Sequence, residues 1–353
     1  MSRSPRITIA HRIEYGALRI VETAFRFLPL SMVFKIGRGL GAVIHYCWGK
    51  QRRVVERSIT QAFGEQKSPD EVAALAKESF RLTAGNFFVS FIIPFYSLQQ
   101  IRDRVVIKGE ELLKKAREEK RGVIMVVPHM GNWELMAQLV SFIGSEFQVA
   151  THYRPLNNPL VNRLIEERRQ TKGLKLFPKR TSSHKLCAFV REGNMLSILA
   201  DQRLASKGDL CAFFGRPTVC SPLPSLLAKR TDCVMLGLHC RTLASDRWEL
   251  CVTEVNGSDS QACATNLEEA WRSSPADVFW FQNRWKISGL AAFRVLMRGP
   301  YPDAELITKP LRLKVGATLS EKPDLPCPDY LIEWVEEDAD IVIGQEHLDQ
   351  INP

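Results

Sequence analysis

Residues 122–127 (GVIMVV) read as a buried strand that runs into Pro128-His129-Met130-Gly131-Asn132-Trp133-Glu134. His129 can take a proton near neutral pH, and Glu134 is a carboxylate able to orient an imidazole. Two residues five apart on a continuous helix lie about 140° apart around its axis, on different faces. Contact between these two side chains therefore requires His129 to sit in the turn before the helix, with Gly131 permitting a tight approach. A carboxylate so placed orients the ring and stabilises the imidazolium formed when the other nitrogen takes a proton. No serine or cysteine nucleophile accompanies the pair, so the proton would come from a substrate hydroxyl. The competing reading is a histidine that only caps or packs.

The elements that must position this turn alternate along the chain. Helical periodicity covers residues 51–64 and 69–90, the second opening with Ser68-Pro69-Asp70. A strand at 104–108, a charged helix at 109–120, the 122–127 strand and a helix at 132–144 follow. Then come strand 147–153, helix 157–172, strand 174–177, helix 182–193, strand 195–200, helix 222–230 and strand 233–241. Such alternation implies an α/β sheet covered by helices on both faces. His129 would lie beyond the carboxyl end of its strand, where open α/β sheets bind ligands.

The chain has 353 residues, 45% of them apolar and 25% charged, which excludes a disordered chain and a disulfide miniprotein. Its 48 basic residues exceed 39 acidic ones, yet ten carboxylates and only Lys322 fall in residues 321–353. That tail carries −9 and residues 1–320 carry +18, a body that attracts polyanions. Nine cysteines, without a C-x-x-C or a Cys/His zinc spacing, point to a reducing compartment and no metal.

Residues 1–13 carry Arg3, Arg6 and Arg12 but no apolar run before a small-residue site, so no cleavable signal is expected. Residues 15–48 are strongly apolar but are broken by Arg19, Glu22, Arg26, Lys35 and Arg38. Their charge-free pieces fall short of the ~20 residues that span a bilayer. They read either as amphipathic helices lying in a membrane interface or as ordinary helices packed on the domain. Three regions result: an N-terminal amphipathic segment (1–50), a catalytic domain (51–298), and a Pro-rich boundary with an acidic tail (299–353).

The HMGNWE hexapeptide after a buried strand resembles the catalytic motif of the late, lauroyl/myristoyl-type lipid A biosynthesis acyltransferases of the lysophospholipid acyltransferase superfamily. Tyr153-Arg154-Pro155 with Asn158-Pro159 and Arg168-Arg169 resembles a second block of that family. Ala200-Asp201-Gln202, Phe213-Phe214-Gly215-Arg216-Pro217, Leu227-Ala228 and Arg284-Trp285-Lys286 follow in the family's order, over about residues 14–290. The resemblance implies a central mixed sheet flanked by helices, with an N-terminal segment that contacts the membrane. It implies O-acyl transfer from an acyl carrier protein thioester to a hydroxyl of a lipid A precursor, in lipopolysaccharide biosynthesis. His129 would be the general base and Glu134 its orienting partner, with no cofactor and no metal. Peripheral or monotopic attachment to the cytoplasmic face of a bacterial inner membrane is expected, on an anionic surface.

Other residues of these blocks admit two roles each. Arg154 can bind a substrate phosphate or steady the thioester oxyanion, or simply form a salt bridge. Asp201 can fix an arginine such as Arg154 or Arg203, or cap a helix. Asn132 can donate from the first helical turn or cap it. Trp133 reads as core packing before substrate contact. Arg284 and Lys286 either meet lipid phosphates or form a solvated face. Lys114-Lys115, Lys120-Arg121 and Lys172/Lys175/Lys179-Arg180 are clusters that can steer an acidic carrier.

The chain departs from the family where Gln282 replaces a common His and Val278 a common Trp, and Ser58 stands where Asn is usual. A relative acylating another glycolipid from acyl-coenzyme A, as the phosphatidylinositol mannoside enzymes do, shares the same chemistry. A membrane-surface protein that lost catalysis is a second alternative. Nucleic-acid binding finds no motif to support it.

Overall fold

Among the described residues, four long helices, α1 (Ile9–Phe25), α2 (Leu30–Cys47), α3 (Gly49–Phe63) and α4 (Pro69–Ile92), and a short α5 (Leu98–Arg102) precede the first strand. The computed structural model describes residues 7–137, 147–171, 173–204, 208–285, 313–315 and 341–343. Helix α4 starts as its sequence predicts, with Ser68 and Glu71 bonded reciprocally as a capping box and Pro69 in the first turn. Helix α2 packs on α4 through glycines at residues 37 and 41. A Cβ on Gly41 would meet the Phe80 carbonyl oxygen at 2.4 Å, so only glycine lets these backbones approach so closely.

The strands are β1 (Val105–Lys108), β2 (Val123–Val127), β3 (Val149–Tyr153), β4 (Lys175–Pro178), β5 (Met195–Leu199), β6 (Asp209–Phe213), β7 (Arg216–Cys220), β8 (Val234–Ala244) and β9 (Arg247–Glu254). Seven of them form one mixed sheet in the order β1-β9-β8-β2-β5-β3-β4. Strands β8, β2, β5, β3 and β4 are mutually parallel, and only the β8–β9 pair is antiparallel. Between them run α6 (Glu110–Glu118), α7 (described over 133–137), α8 (Pro159–Thr171), α9 (Ser183–Arg191) and α10 (Leu223–Thr231), and α11 (Ser260–Ser273) follows β9.

All five residues of β2 are buried, so the strand at the centre has apolar layers on both faces. On one face Ile124 and Val126 join Leu186, Leu227 and Leu267 from α9, α10 and α11. On the other, Val123, Met125 and Val127 join Val33, Leu113 and Leu135 from α2, α6 and α7. Helix α4 contributes Ala76 and Phe80 to the first cluster and Val89 and Ile92 to the second. It thereby ties the two layers together where the catalytic turn lies.

The sheet flanked by helices is the fold expected, with most strand and helix ends shifted by one or two residues. The helices α5 and α11, the β6–β7 hairpin, β9 and two short strands beyond residue 299 had no sequence expectation. Of residues 299–353, only the short parallel strands β10 (Leu313–Val315) and β11 (Ile341–Ile343) are described. The acidic tail otherwise lies outside the described residues.

Candidate active site

Strands β2 and β5 are parallel neighbours, with Val127 opposite Leu199. Two residues past each strand end, His129 and Asp201 therefore face one another. The His129 backbone N–H donates to one Asp201 carboxylate oxygen at 2.7 Å, and Nδ1 lies 2.7 Å from the other. A carboxylate that accepts from Nδ1 fixes the proton there and leaves Nε2 as the acceptor. On the other side of the ring, His129 Nε2 accepts from the exposed Gln202 amide at 3.3 Å, so both ring nitrogens have a partner. Asp201 is fully buried, while the His129 side chain is 13% exposed.

The charges of the pair are set by this contact. Burial works to lower the His129 pKa, but the charge and hydrogen bond of Asp201, helped by the charge of Glu134, outweigh it. The imidazole titrates above its ordinary value. Burial opposes the charge on Asp201 too. There the His129 charge and hydrogen bonds, with the charge of Arg284, hold the carboxyl below the usual range.

Glu134, expected as the orienting carboxylate, is turned elsewhere. It lies in the first turn of α7 and accepts from Arg169 of α8 at 2.5 Å. The spacing that made contact possible did not compel it, because a cation from α8 claims the carboxylate first. Asp201 in turn neither caps a helix nor waits for an outer arginine: it holds the histidine. Asn132 is buried, and its Oδ1 accepts from the Leu135 N–H and the Ser90 hydroxyl, so it caps α7. Arg284 is buried rather than lipid-facing. Its Nη2 lies 3.0 Å from Cys220 Sγ, its Nη1 donates to the Val219 carbonyl, and its guanidinium lies over Phe213. Lys286 lies outside the described residues. Arg154 is exposed at the end of β3.

A second layer holds the catalytic turn, and sequence reasoning missed it. Gly131 has φ +56° with its Cα against the Cys240 carbonyl, a position no side chain fits. Its N–H donates to the Asp277 carbonyl at 2.9 Å, and the Phe279 N–H donates to the His129 carbonyl at 3.0 Å. The Asp277 carboxylate accepts from the Thr242 N–H, the Thr242 hydroxyl and the Ser274 hydroxyl. Asn86 of α4 donates to the Thr242 hydroxyl and accepts from Trp248 Nε1. Gln282 donates to the Asp201 backbone carbonyl at 3.4 Å, and Val278 bridges Met130. Two of the three positions that depart from the family pattern thus lie on the turn and on the backbone of Asp201. No spacing signal in the sequence links Asn86, Thr242 and Asp277.

Two cavities lie near the 127–134 segment. One, about 80 Å³, lies against the sheet between apolar residues such as Val127, Val149, Leu174, Met195, Leu199 and Leu238. The other, about 370 Å³, is bounded by α1, α4, α8 and the 131–134 turn. Trp133, Glu134 and Arg169 line both. Trp133, expected mainly as core packing, is only partly buried and meets the His129 ring edge-on at 5.5 Å. Among the described residues no group of His, Cys, Asp and Glu could hold a metal ion.

The family model described as bacterial lipid A biosynthesis acyltransferase matches residues 3–287. The chain belongs to that family. It is an acyltransferase by that membership. Among its relatives, the phosphatidylinositol mannoside acyltransferase of Mycobacterium tuberculosis (strain CDC 1551 / Oshkosh) is 26% identical over 229 residues, 62% of this chain and 71% of the relative. The lipid A biosynthesis acyltransferase of Haemophilus influenzae is 24% identical over 216 residues, 61% of this chain and 67% of the relative. The lipid A biosynthesis palmitoleoyltransferase of Escherichia coli K12 is 23% identical over 269 residues, 73% and 86% of the two chains. In this member of the family the blocks quoted from sequence converge. HMGNWE supplies the histidine, the Asp201-Gln202 block its carboxylate, and the Arg284 block the charge behind that carboxylate.

Proposed function

We propose that the chain moves a fatty acyl group from an acyl carrier protein thioester to a hydroxyl of a lipid A precursor. The observation that carries this reading is the His129–Asp201 pair, its Nε2 turned away from Asp201 toward the exposed Gln202 amide that a substrate hydroxyl would displace, with an apolar chamber nearby against the sheet. Nε2 takes the proton of the acceptor hydroxyl as its oxygen attacks the thioester carbonyl. The tetrahedral intermediate collapses, the C–S bond breaks, and the imidazolium returns the proton to the leaving thiolate. Asp201 stabilises the imidazolium between those two steps. The hydrocarbon of the donor would occupy the chamber against the sheet, and the glycolipid the wider one beneath α1 and α4.

Membrane attachment is part of this proposal. Among the described residues no helix is long and apolar enough to cross a membrane. Ile9, Ile13 and Ile20 of α1, Phe27, and Val43 and Tyr46 of α2 are nonetheless exposed, beside Arg12 and Lys35. Apolar side chains with cations beside them suit a peripheral seat on an anionic leaflet. The expected site is the cytoplasmic face of the inner membrane.

A second reading is favoured by the likeness to phosphatidylinositol mannoside acyltransferases, which matches that to the lipid A enzymes in identity. In it the acceptor is a mannosylated phosphatidylinositol and the donor acyl-coenzyme A. Mass spectrometry decides between them. Purified protein in detergent meets each acceptor with each thioester, wild type beside His129→Ala. One added acyl mass on the lipid A precursor, carrier-dependent and reduced about 10²–10⁴-fold in the variant, is the expected result. Acylation of only the mannolipid selects the second reading, and no added mass with any pair sinks both.

A further inference from the structure

The register of the sheet measures how far other side chains lie from His129. Val127 pairs with Leu199, His152 with both Ile198 and Phe177, and Tyr153 with Pro178. Continued past the strand ends, His129 and Asp201 share one level and Arg154 lies one residue lower, while after Pro178 the chain turns, the Thr181 N–H donating to the Pro178 carbonyl, so Lys179 and Arg180 occupy the turn that closes β4. Strand order places β4 three neighbours from β2. At the usual spacing of neighbouring strands, the carboxyl end of β4 is about 14 Å from that of β2. Arg154 lies between them on β3. All three cations are exposed, and none forms an ion pair among the described residues. The end of β4 is tied back by the Thr181 N–H donating to the Pro178 carbonyl at 2.7 Å.

We infer that Arg154, Lys179 and Arg180 hold the phosphate of the donor's pantetheine arm. The inference rests on the proposed thioester chemistry. In such a donor about thirteen covalent bonds separate the thioester sulfur from the arm's phosphate. An extended chain advances about 3.5 Å for every three bonds, so the arm reaches about 15 Å. With its sulfur at His129, its phosphate arrives where β3 and β4 end. Guanidinium and ammonium groups there form charge-assisted hydrogen bonds to phosphate oxygens. Arm phosphates are common to carrier protein and coenzyme A, so the same side chains serve either donor.

The test compares one acyl group on three donors: acyl carrier protein, coenzyme A, and pantetheine lacking the phosphate. Lys179→Gln/Arg180→Gln is the variant. Lys114→Gln/Lys115→Gln, on the exposed face of α6, removes equal charge elsewhere. The expected result is a KM raised at least about tenfold for both phosphate-bearing donors, the worth of one charge-assisted hydrogen bond. The pantetheine thioester keeps its KM, and the α6 variant shows no such split. A rise shared by the pantetheine thioester, or no rise at all, overturns the inference. A rise with the carrier alone overturns it in favour of protein docking, and one with coenzyme A alone in favour of the nucleotide phosphates. Absence of transfer by the wild type with every donor sinks the proposed function instead. The phosphate site is then judged by calorimetric titration of coenzyme A against pantetheine. A preference for coenzyme A lost in the variant supports it, and equal affinities in both proteins overturn it.

Discussion

Asp201→Asn keeps the side-chain volume beside His129 and removes the charge that raises its pKa. A general base works deprotonated, so the rate rises with pH through that pKa. Without the Asp201 charge the pKa falls, and the rising limb of kcat/KM moves to lower pH. The plateau drops as well, by about 10²–10⁴-fold, because an amide no longer enforces the tautomer with the proton on Nδ1. Glu134→Gln should displace the limb less, since Glu134 is the weaker of the two influences on the imidazole. A pH–rate series on the three proteins checks this. A limb that moves further in the Glu134 variant would return the orienting role to Glu134. Chemistry at this scale was half legible. His129 and its place past a strand end follow from residue types and pattern. Its carboxylate partner does not, because residues 129 and 201 meet only through strand pairing.

The elements matter through what they clamp. Asp277, just before the 278–282 stretch, accepts three hydrogen bonds in a nearly dry site, and its backbone holds the Gly131 N–H. Asp277→Ala leaves the Thr242 N–H and two hydroxyls without an acceptor. The expected loss is roughly 2–5 kcal/mol of stability by urea unfolding, with activity falling as the turn loosens. Asp277→Asn retains an acceptor oxygen and should recover part of both. A stable, fully active alanine variant would show that the turn is held by its own glycine and the Met130–Val278 bridge. Helix starts were readable here: Ser68 and Asn132 cap α4 and α7 through the side-chain bonds that their types predict. The β6–β7 hairpin was not, since Phe214 takes φ +54° where sequence rules would look for glycine first.

For the whole molecule, α1 and α2 face two ways. Glu22, which the sequence offers as one of the charges breaking an apolar segment, is buried and bonded to Arg168 of α8. Leu30, Val33 and Phe34 enter the core. The opposite side leaves Ile13, Ile20 and Val43 in solvent. Burying an aliphatic side chain of this size is worth about 1.5–3 kcal/mol. Ile13→Glu, Ile20→Glu and Val43→Glu should therefore each weaken flotation with anionic vesicles about tenfold or more, while thermal unfolding barely changes. Unchanged flotation in the triple variant would remove this face from membrane binding.

Residue types and their order determined the α/β alternation, the histidine past its strand, the helix caps and the family, because each depends on neighbours along the chain. Tertiary structure alone decided that Asp201, not Glu134, orients His129, and that Arg284 lies buried behind it. It also decided that Asn86, Thr242 and Asp277 brace one turn. The physical reason is strand order. Parallel pairing places β5 beside β2 and sets their ends level, and a contact across 72 residues leaves no periodicity for a sequence to show.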